Sequence, residues 1–304
     1  CDIQGGTMSE RIVDIFENPL PSYSIEVFPP KPNLEKTLEI IFDTIDRLKV
    51  IDPSFVSVTY GSGGYNRERA LSIAGHLIQG AYRALSHITA VGYLRSDIVD
   101  LLDQLYYLGV RNVLALRGDI PPNLIFPDTE LDRFRYAYDL IDFVKRDGRF
   151  CIGAAAYPEG YADSGDVDLS VLYLKKKAEV GADFFITQLF FDNARFYRFL
   201  EKARAVGISQ PIVPAIMPIL RNTNLKRILS LSSTSLPSGL QEKIDRFGAD
   251  PLDLEKVGIA HAAKQVQDLR EHGMKHIHLY TMNKSKQIIE ICRLSETVSK
   301  SEER

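Results

Sequence analysis

The sequence predicts an α/β protein, a single (β/α)₈ TIM barrel with a helical insertion before its last strand. Three observations predict it. Short apolar, β-rich runs alternate with longer amphipathic stretches along the chain. Eight such pairs divide the 304 residues into units of about 38, the usual size for this barrel. The turn after the first run reads Pro29-Pro30-Lys31-Pro32, without the glycines by which an open doubly wound sheet holds a dinucleotide. No Ser/Gly linker divides the chain. The barrel is therefore expected over residues 18–298 as one domain. Residues 1–17 form an N-terminal segment whose first seven residues, ahead of Met8, read as a cloning remnant, and the polar tail 299–304 is expected to fray.

The elements follow in order. Strands are predicted over residues 23–28, 55–59, 85–89, 112–116, 151–156, 184–188, 212–216 and 276–280. Helices are predicted over 34–48, 67–79, 96–108, 133–146, 169–180, 194–206, 225–231, 252–271 and 285–294, with the insertion at 238–247. Ser96 suits an N-cap, and Asp97 suits the first turn behind it. Gly181 and Gly207 stand where helices close with a left-handed residue.

Bulk properties exclude several classes. Lys and Arg total 37 against 40 Asp and Glu, a net charge of −3, which argues against a nucleic-acid partner. No apolar run approaches the length of a membrane span. Cys1, Cys151 and Cys292 have no metal-ligand spacing and suggest no oxidising compartment, so a cytoplasmic protein without a structural metal is expected.

Such a barrel builds its site at the C-terminal ends of its strands, and polar residues gather there. Glu26 lies between Ile25 and Val27. A carboxyl on the barrel interior is desolvated, which should raise its pKa and suit it to donate a proton. Arg117-Gly118-Asp119 follows the fourth strand, with Arg suited to phosphate and Gly to close backbone approach. Gln188, in the apolar run 184–191, needs a hydrogen-bond partner that a flat heterocycle could supply. His87 reads as a satisfied core histidine, Phe190 and Phe191 as core, and two of Lys175, Lys176 and Lys177 as a solvated face, leaving one free to turn toward a phosphate.

Seven segments, in order and with compatible spacing, carry a resemblance. They are Ser24-Ile25-Glu26-Val27-Phe28-Pro29-Pro30, Phe55-Val56-Ser57-Val58-Thr59-Tyr60-Gly61, Ala115-Leu116-Arg117-Gly118-Asp119, Ala155-Ala156-Tyr157-Pro158-Glu159, Gly181-Ala182-Asp183, Ile186-Thr187-Gln188-Leu189-Phe190-Phe191-Asp192, and His278-Leu279-Tyr280-Thr281-Met282-Asn283. Over residues 23–294 the chain resembles the catalytic domain of the methylenetetrahydrofolate reductase family. The resemblance implies an FAD-dependent oxidoreductase of one-carbon metabolism and methionine biosynthesis. It would reduce 5,10-methylenetetrahydrofolate to 5-methyltetrahydrofolate by hydride transfer from reduced flavin to an iminium form of the folate. Glu26 matches the family's general acid, and Asp119 the aspartate beside flavin and pterin. Thr59, Tyr60, Ser62, His87, Arg117, Gly118, Ala137, Tyr157 and Lys177 match FAD-contacting positions. Gln188 matches a position shared by folate and nicotinamide, and Lys284 a basic position near the folate tail.

The sequence departs from the family pattern in three places. Tyr161 replaces a usual histidine, Tyr173 replaces a small polar residue in a segment about two residues longer, and Arg221-Asn222-Thr223-Asn224 fills a loop that usually offers a stacking aromatic. Two readings follow. The first is a free-standing reductase using NADH or NADPH. The second, slightly favoured by the 220–224 loop, is a flavin and folate subunit fed by a partner electron-transfer protein. A homo-oligomer or complex subunit is expected, without an appended regulatory domain. A barrel without flavin, a lyase or hydrolase, lacks any visible nucleophile–base pair or metal cluster.

Overall fold

The computed structural model describes residues 11–29, 37–59, 67–118, 133–161 and 164–297. Its strands are β1 (Ser22–Val27), β2 (Val56–Val58), β3 (Ala84–Thr89), β4 (Asn112–Leu116), β5 (Cys151–Ala156), β6 (Phe184–Thr187), β7 (Ile212–Val213), β8 (Ala215–Ile216) and β9 (His276–Tyr280). They form one sheet in the order β7-β6-β5-β4-β3-β2-β1-β9-β8, with every pairing parallel. β7 and β8 are halves of the single run predicted over 212–216, divided at Pro214. Proline has no N–H to give the ladder. The first half therefore pairs with β6 and the second with β9, and this broken stave closes the barrel.

The helices are α1 (Thr37–Leu48), α2 (Arg67–Gln79), α3 (Arg95–Tyr107), α4 (Ala137–Asp147), α5 (Val167–Glu179), α6 (Asn193–Ala205), α7 (Asn222–Leu231), α8 (Ser238–Phe247), α9 (Pro251–Glu271) and α10 (Ser285–Thr297). Strand residues alternate between two environments, as a pleat of period two requires. Ile25 and Val27 join the layer between sheet and helices with Ile41, Ile45, Ile288 and Ile291. Phe55, Leu85, Leu114, Cys151 and Phe184 fill the barrel interior. Glu26 and Ser24 alternate with Ile25 and Val27, so their side chains share that interior.

Several boundaries differ from expectation for identifiable reasons. α3 is not capped by Ser96. Leu94 occupies the extended position before the helix, and the Asp97 carboxylate accepts its N–H at 2.8 Å. A charged acceptor in the first turn satisfies an orphan donor and faces the positive helix end. Residues ahead of α4, expected to be helical from 133, leave Arg133 in an isolated bridge with Leu94. The segment read as a loop at 220–224 is already helical from Asn222: Leu225 N–H donates to Arg221 O, and the Asn222 amide donates to Gly248 O at 2.8 Å. Gly181 and Gly207 have φ of +113° and +86°, as helix-closing residues do.

Residues 12–17, expected to lie outside the barrel, form a 3₁₀ helix against its N-terminal end. Ile12 is fully buried and its N–H donates to Asn112 Oδ1 at 2.8 Å, at the start of β4. Phe16 packs on Phe184 and His276, at the starts of β6 and β9. Among the described residues no helix is long and apolar enough to cross a membrane.

Candidate active site

Glu26 is near the C-terminal end of β1 and is 6% exposed. Its Oε1 accepts a hydrogen bond from Thr59 Oγ1 at 2.8 Å, and Ser57 Oγ approaches Oε2 at 3.5 Å. Two histidines flank the same Oε2: His87 Nε2 from β3 at 3.6 Å and His278 Nε2 from β9 at 3.7 Å. Both ring nitrogens are buried without a hydrogen-bond partner. From sequence, burial alone is expected to raise the Glu26 pKa. Burial is indeed the largest single influence and acts upward, but His87, His278 and Thr59 together outweigh it, so the carboxyl titrates below its usual value. Burial holds His87 below its own ordinary value, with Glu26 opposing. His87 is thus not a satisfied core histidine; it is poised beside a carboxylate.

A second group of residues suits a phosphate-bearing ligand with a flat aromatic end. Lys177 is the one lysine of its run that turns inward. It is 5% exposed and donates to Ala155 O at 2.8 Å, while Lys176 lies over the Tyr138 ring. Burial, helped by Arg117, pushes the Lys177 ammonium down to about 7. An anion placed there would stabilise the charged form. Its Nζ lies 5.2 Å from the Tyr157 ring and 5.9 Å from the Tyr161 ring. Tyr157 and Tyr161 are 4.4 Å apart between centroids, with Tyr173 edge-on to Tyr161 at 5.9 Å. Ala137 opens α4 and is nearly buried. Arg117 is exposed on the rim. Gly118 follows with φ +82°, and a Cβ there would sit 3.1 Å from Thr89, so only glycine lets the backbone turn beside the strand end.

Gln188 lines a small pocket with Tyr157, Glu159, Leu189 and Thr234. Its own Oε1 accepts from Leu189 N–H at 3.2 Å, which leaves the amide NH₂ to a ligand. Glu159 joins the site although no sequence signal beyond its motif marks it. Its Oε2 accepts from Ser235 N–H at 3.1 Å and from Ser235 Oγ at 2.5 Å, while Oε1 is buried unpaired. Burial raises its pKa. His278 and Tyr280 likewise stand out in the sequence only as part of a motif. Tyr280 donates to Thr187 O at 3.0 Å, tying β9 to β6 across the interior.

Lys284 is exposed just past β9. The preceding turn places Met282 and Asn283 at φ +49° and +55°. Asn283 accepts from Phe28 N–H at 3.0 Å and donates to Phe28 O at 2.9 Å, which staples this rim to β1. Tyr60, Ser62 and Asp119 lie outside the described residues. Among the described residues no group of three or more His, Cys, Asp or Glu could hold a metal ion.

Comparisons with known proteins bear on the family and the fold. The methylenetetrahydrofolate reductase family model matches residues 11–296. A 5,10-methylenetetrahydrofolate reductase from Pectobacterium carotovorum subsp. carotovorum is 33% identical over 271 residues, 88% of each chain. A probable methylenetetrahydrofolate reductase (NADPH) from Caenorhabditis elegans is 33% identical over 295 residues. That alignment spans 94% of this chain and 44% of the nematode protein. A solved structure of a Clostridium thermocellum protein that binds two copies of 5-methyl-5,6,7,8-tetrahydrofolic acid superimposes with a TM-score of 0.65 at 17% identity. It covers 94% of this chain and 98% of that one, a likeness of fold.

Proposed function

This chain belongs to the methylenetetrahydrofolate reductase family, and on that premise we propose that it reduces 5,10-methylenetetrahydrofolate to 5-methyltetrahydrofolate with bound FAD. The observation that carries this reading is the buried carboxylate of Glu26 at the ligand-facing end of β1. Glu26 is the proton donor: it delivers a proton to the substrate nitrogen and so opens the five-membered ring. A folate over the pocket removes the last solvent from the carboxyl, which favours its protonated form. Gln188 offers its free amide to the pterin, Asp119 sets the charge beside it, and Lys284 faces the carboxylates of the folate tail. Lys177 and Arg117 hold phosphates, Tyr157 and Ala137 lie along the nucleotide, and Thr59, Tyr60, Ser62, His87 and Gly118 line the remainder. The fit rests on the buried Lys177 ammonium and on the glycine-only approach at Gly118. When bound, FAD supplies the hydride.

NADH or NADPH is the donor in this reading. The polar first turn of α7, with Arg221 exposed and no aromatic side chain over residues 221–224, favours a second one, in which a partner protein supplies electrons to this chain within a complex. Steady-state turnover with each nucleotide and an artificial acceptor separates the two. A cytoplasmic setting, in which the buried, unpaired Cys151 and Cys292 would stay thiols, and a place on the route to methionine belong to the same reading.

The primary test is anaerobic addition of 5-methyltetrahydrofolate to the flavin-loaded protein, following flavin absorbance. Bleaching is expected, and a yellow protein that does not bleach removes the folate assignment. The forward direction tests Glu26, because there the ring must open before hydride leaves the flavin: Glu26→Gln should bind flavin normally, but once reduced it should be reoxidised by 5,10-methylenetetrahydrofolate at least about 10²-fold more slowly. Near-normal reoxidation of the variant removes Glu26 as the acid.

A further inference from the structure

His278 is fully buried, yet its Nε2 has no hydrogen-bond partner. Orphaned buried nitrogens are rare and need a reason. Its surroundings fix the ring tightly. It stacks on Phe55 with centroids 5.8 Å apart and planes 18° apart, and meets Tyr280 edge-on at 5.6 Å. Its Nδ1 lies 2.8 Å from Ser24 Oγ, which is 2% exposed and stands opposite it in the β1–β9 register. With its plane and one nitrogen held, the other nitrogen can point only one way, and Glu26 Oε2 stands 3.7 Å off in that direction.

The tautomer follows from electrostatics. A bare Nε2 lone pair facing a carboxylate in a dry interior is repulsive, whereas an N–H is attractive. Ser24 then donates to Nδ1, and the proton resides on Nε2. At 3.7 Å the contact is longer than a formed hydrogen bond, so the N–H acts on the carboxylate as a nearby fixed dipole, which a dry interior strengthens.

We propose that His278, oriented by Ser24, is a positioning residue for Glu26: its Nε2–H favours the carboxylate anion until a ligand covers the carboxyl, and only then does the acid take up its proton. Ser57 and Thr59 from β2 and its end, His87 from β3, and Tyr280 from β9 are the other groups facing this carboxyl or its histidine, and none of them shares the Ser24 tether. The role deepens the folate reading, but its test does not depend on that reading.

The experiment is a ¹³C NMR pH titration of glutamate side-chain carboxyls in the ligand-free protein, with Glu26→Gln assigning the signal. Two variants separate the tether from the contact. Asparagine at 278 places its amide nitrogen near the former Nδ1, and glutamine places it near the former Nε2. H278N should move the Glu26 midpoint up by about one pH unit, a tenfold change in its ionisation equilibrium. H278Q should restore most of that, and S24A should give a smaller upward shift. The folate half-reaction should follow the same order in its pH profile. If H278N and H278Q leave the Glu26 midpoint in place, the inference fails even where activity falls, because packing alone explains that loss. Normal midpoint shifts in a protein that does not react with folate would leave the inference intact and remove the function.

Discussion

At the scale of single residues, the site sets unusual charges in dry places. Lys177 is the clearest case. The unfolded chain holds this proton up to the ordinary lysine value of 10.5, the folded chain only to about 7. Folding therefore releases a proton between those values, so stability rises with pH across that window, and the full cost of burial is borne below pH 7. Lys177→Met should stabilise the ligand-free protein at pH 6 by roughly 2–4 kcal/mol, discounted from the shift. The gain should shrink toward zero near pH 10, while flavin affinity falls. Urea midpoints at the two pH values decide this: a variant equally weakened at both would mean that the stem of Lys177, not its charge, matters. The sequence made part of this chemistry legible. Glu26 can be found because a carboxylate in an apolar strand is itself anomalous. The direction of its titration cannot, because it depends on His87 and His278, which are 61 and 252 residues away in the chain and meet only through register. Glu159 is hidden for the same reason, since its partner Ser235 is 76 residues distant.

At the scale of elements, periodicity locates the strands and most helices, and errors arise where a local signal competes with a tertiary one. Residues 212–216 read as one strand, yet Pro214 divides that run into the two halves of the stave that closes the barrel. Asn222-Thr223-Asn224 reads as a polar loop because these residues favour turns. The Asn222 bond to Gly248, the residue that follows α8, draws them into the first turn of α7. The packing of α9 against the segment after β8 is the tightest such contact at a described glycine and cannot be read from sequence. A Cβ on Gly258 would lie 1.8 Å from the Ile219 carbonyl oxygen, a backbone atom that cannot swing aside. Gly258→Ala should therefore cost at least about 3 kcal/mol, at the upper end of overpacking losses. Gly239, in α8, has nothing within 4 Å of where a methyl group would be added, so Gly239→Ala should change stability by less than about 1 kcal/mol. Equal urea midpoints for the two variants would show that α9 can slide without penalty.

At the scale of the whole molecule, the candidate site and the closing helix occupy opposite ends of one barrel. The strand ends that follow the chain direction carry Glu26, Gly118, Gln188 and Lys284. The strand starts are sealed by the 12–17 helix, which no sequence signal assigns to the barrel because it is short and precedes any β-rich run. Between them lie Phe55, Leu85, Leu114 and Phe184, in contact with the floor residue Ile12 below and with the His278 ring, through Phe55, above. Separate ends predict separable effects. Ile12→Ala removes a fully buried side chain from the floor and should cost about 2–4 kcal/mol in urea unfolding. Glu26 is held by Thr59 and flanked by histidines on β3 and β9, and among the described residues none of these three has a hydrogen bond or ring contact with the floor helix. The flavin-loaded variant, reduced beforehand and kept well below its melting temperature, should therefore be reoxidised by 5,10-methylenetetrahydrofolate at a rate within about twofold of the parent, since interiors relax locally around a lost methyl group. A fall of about tenfold or more at unchanged flavin content would mean that the packing from Ile12 through Phe55 to His278 transmits the cavity to the carboxylate. The floor would then belong to the catalytic machinery and not only to the fold.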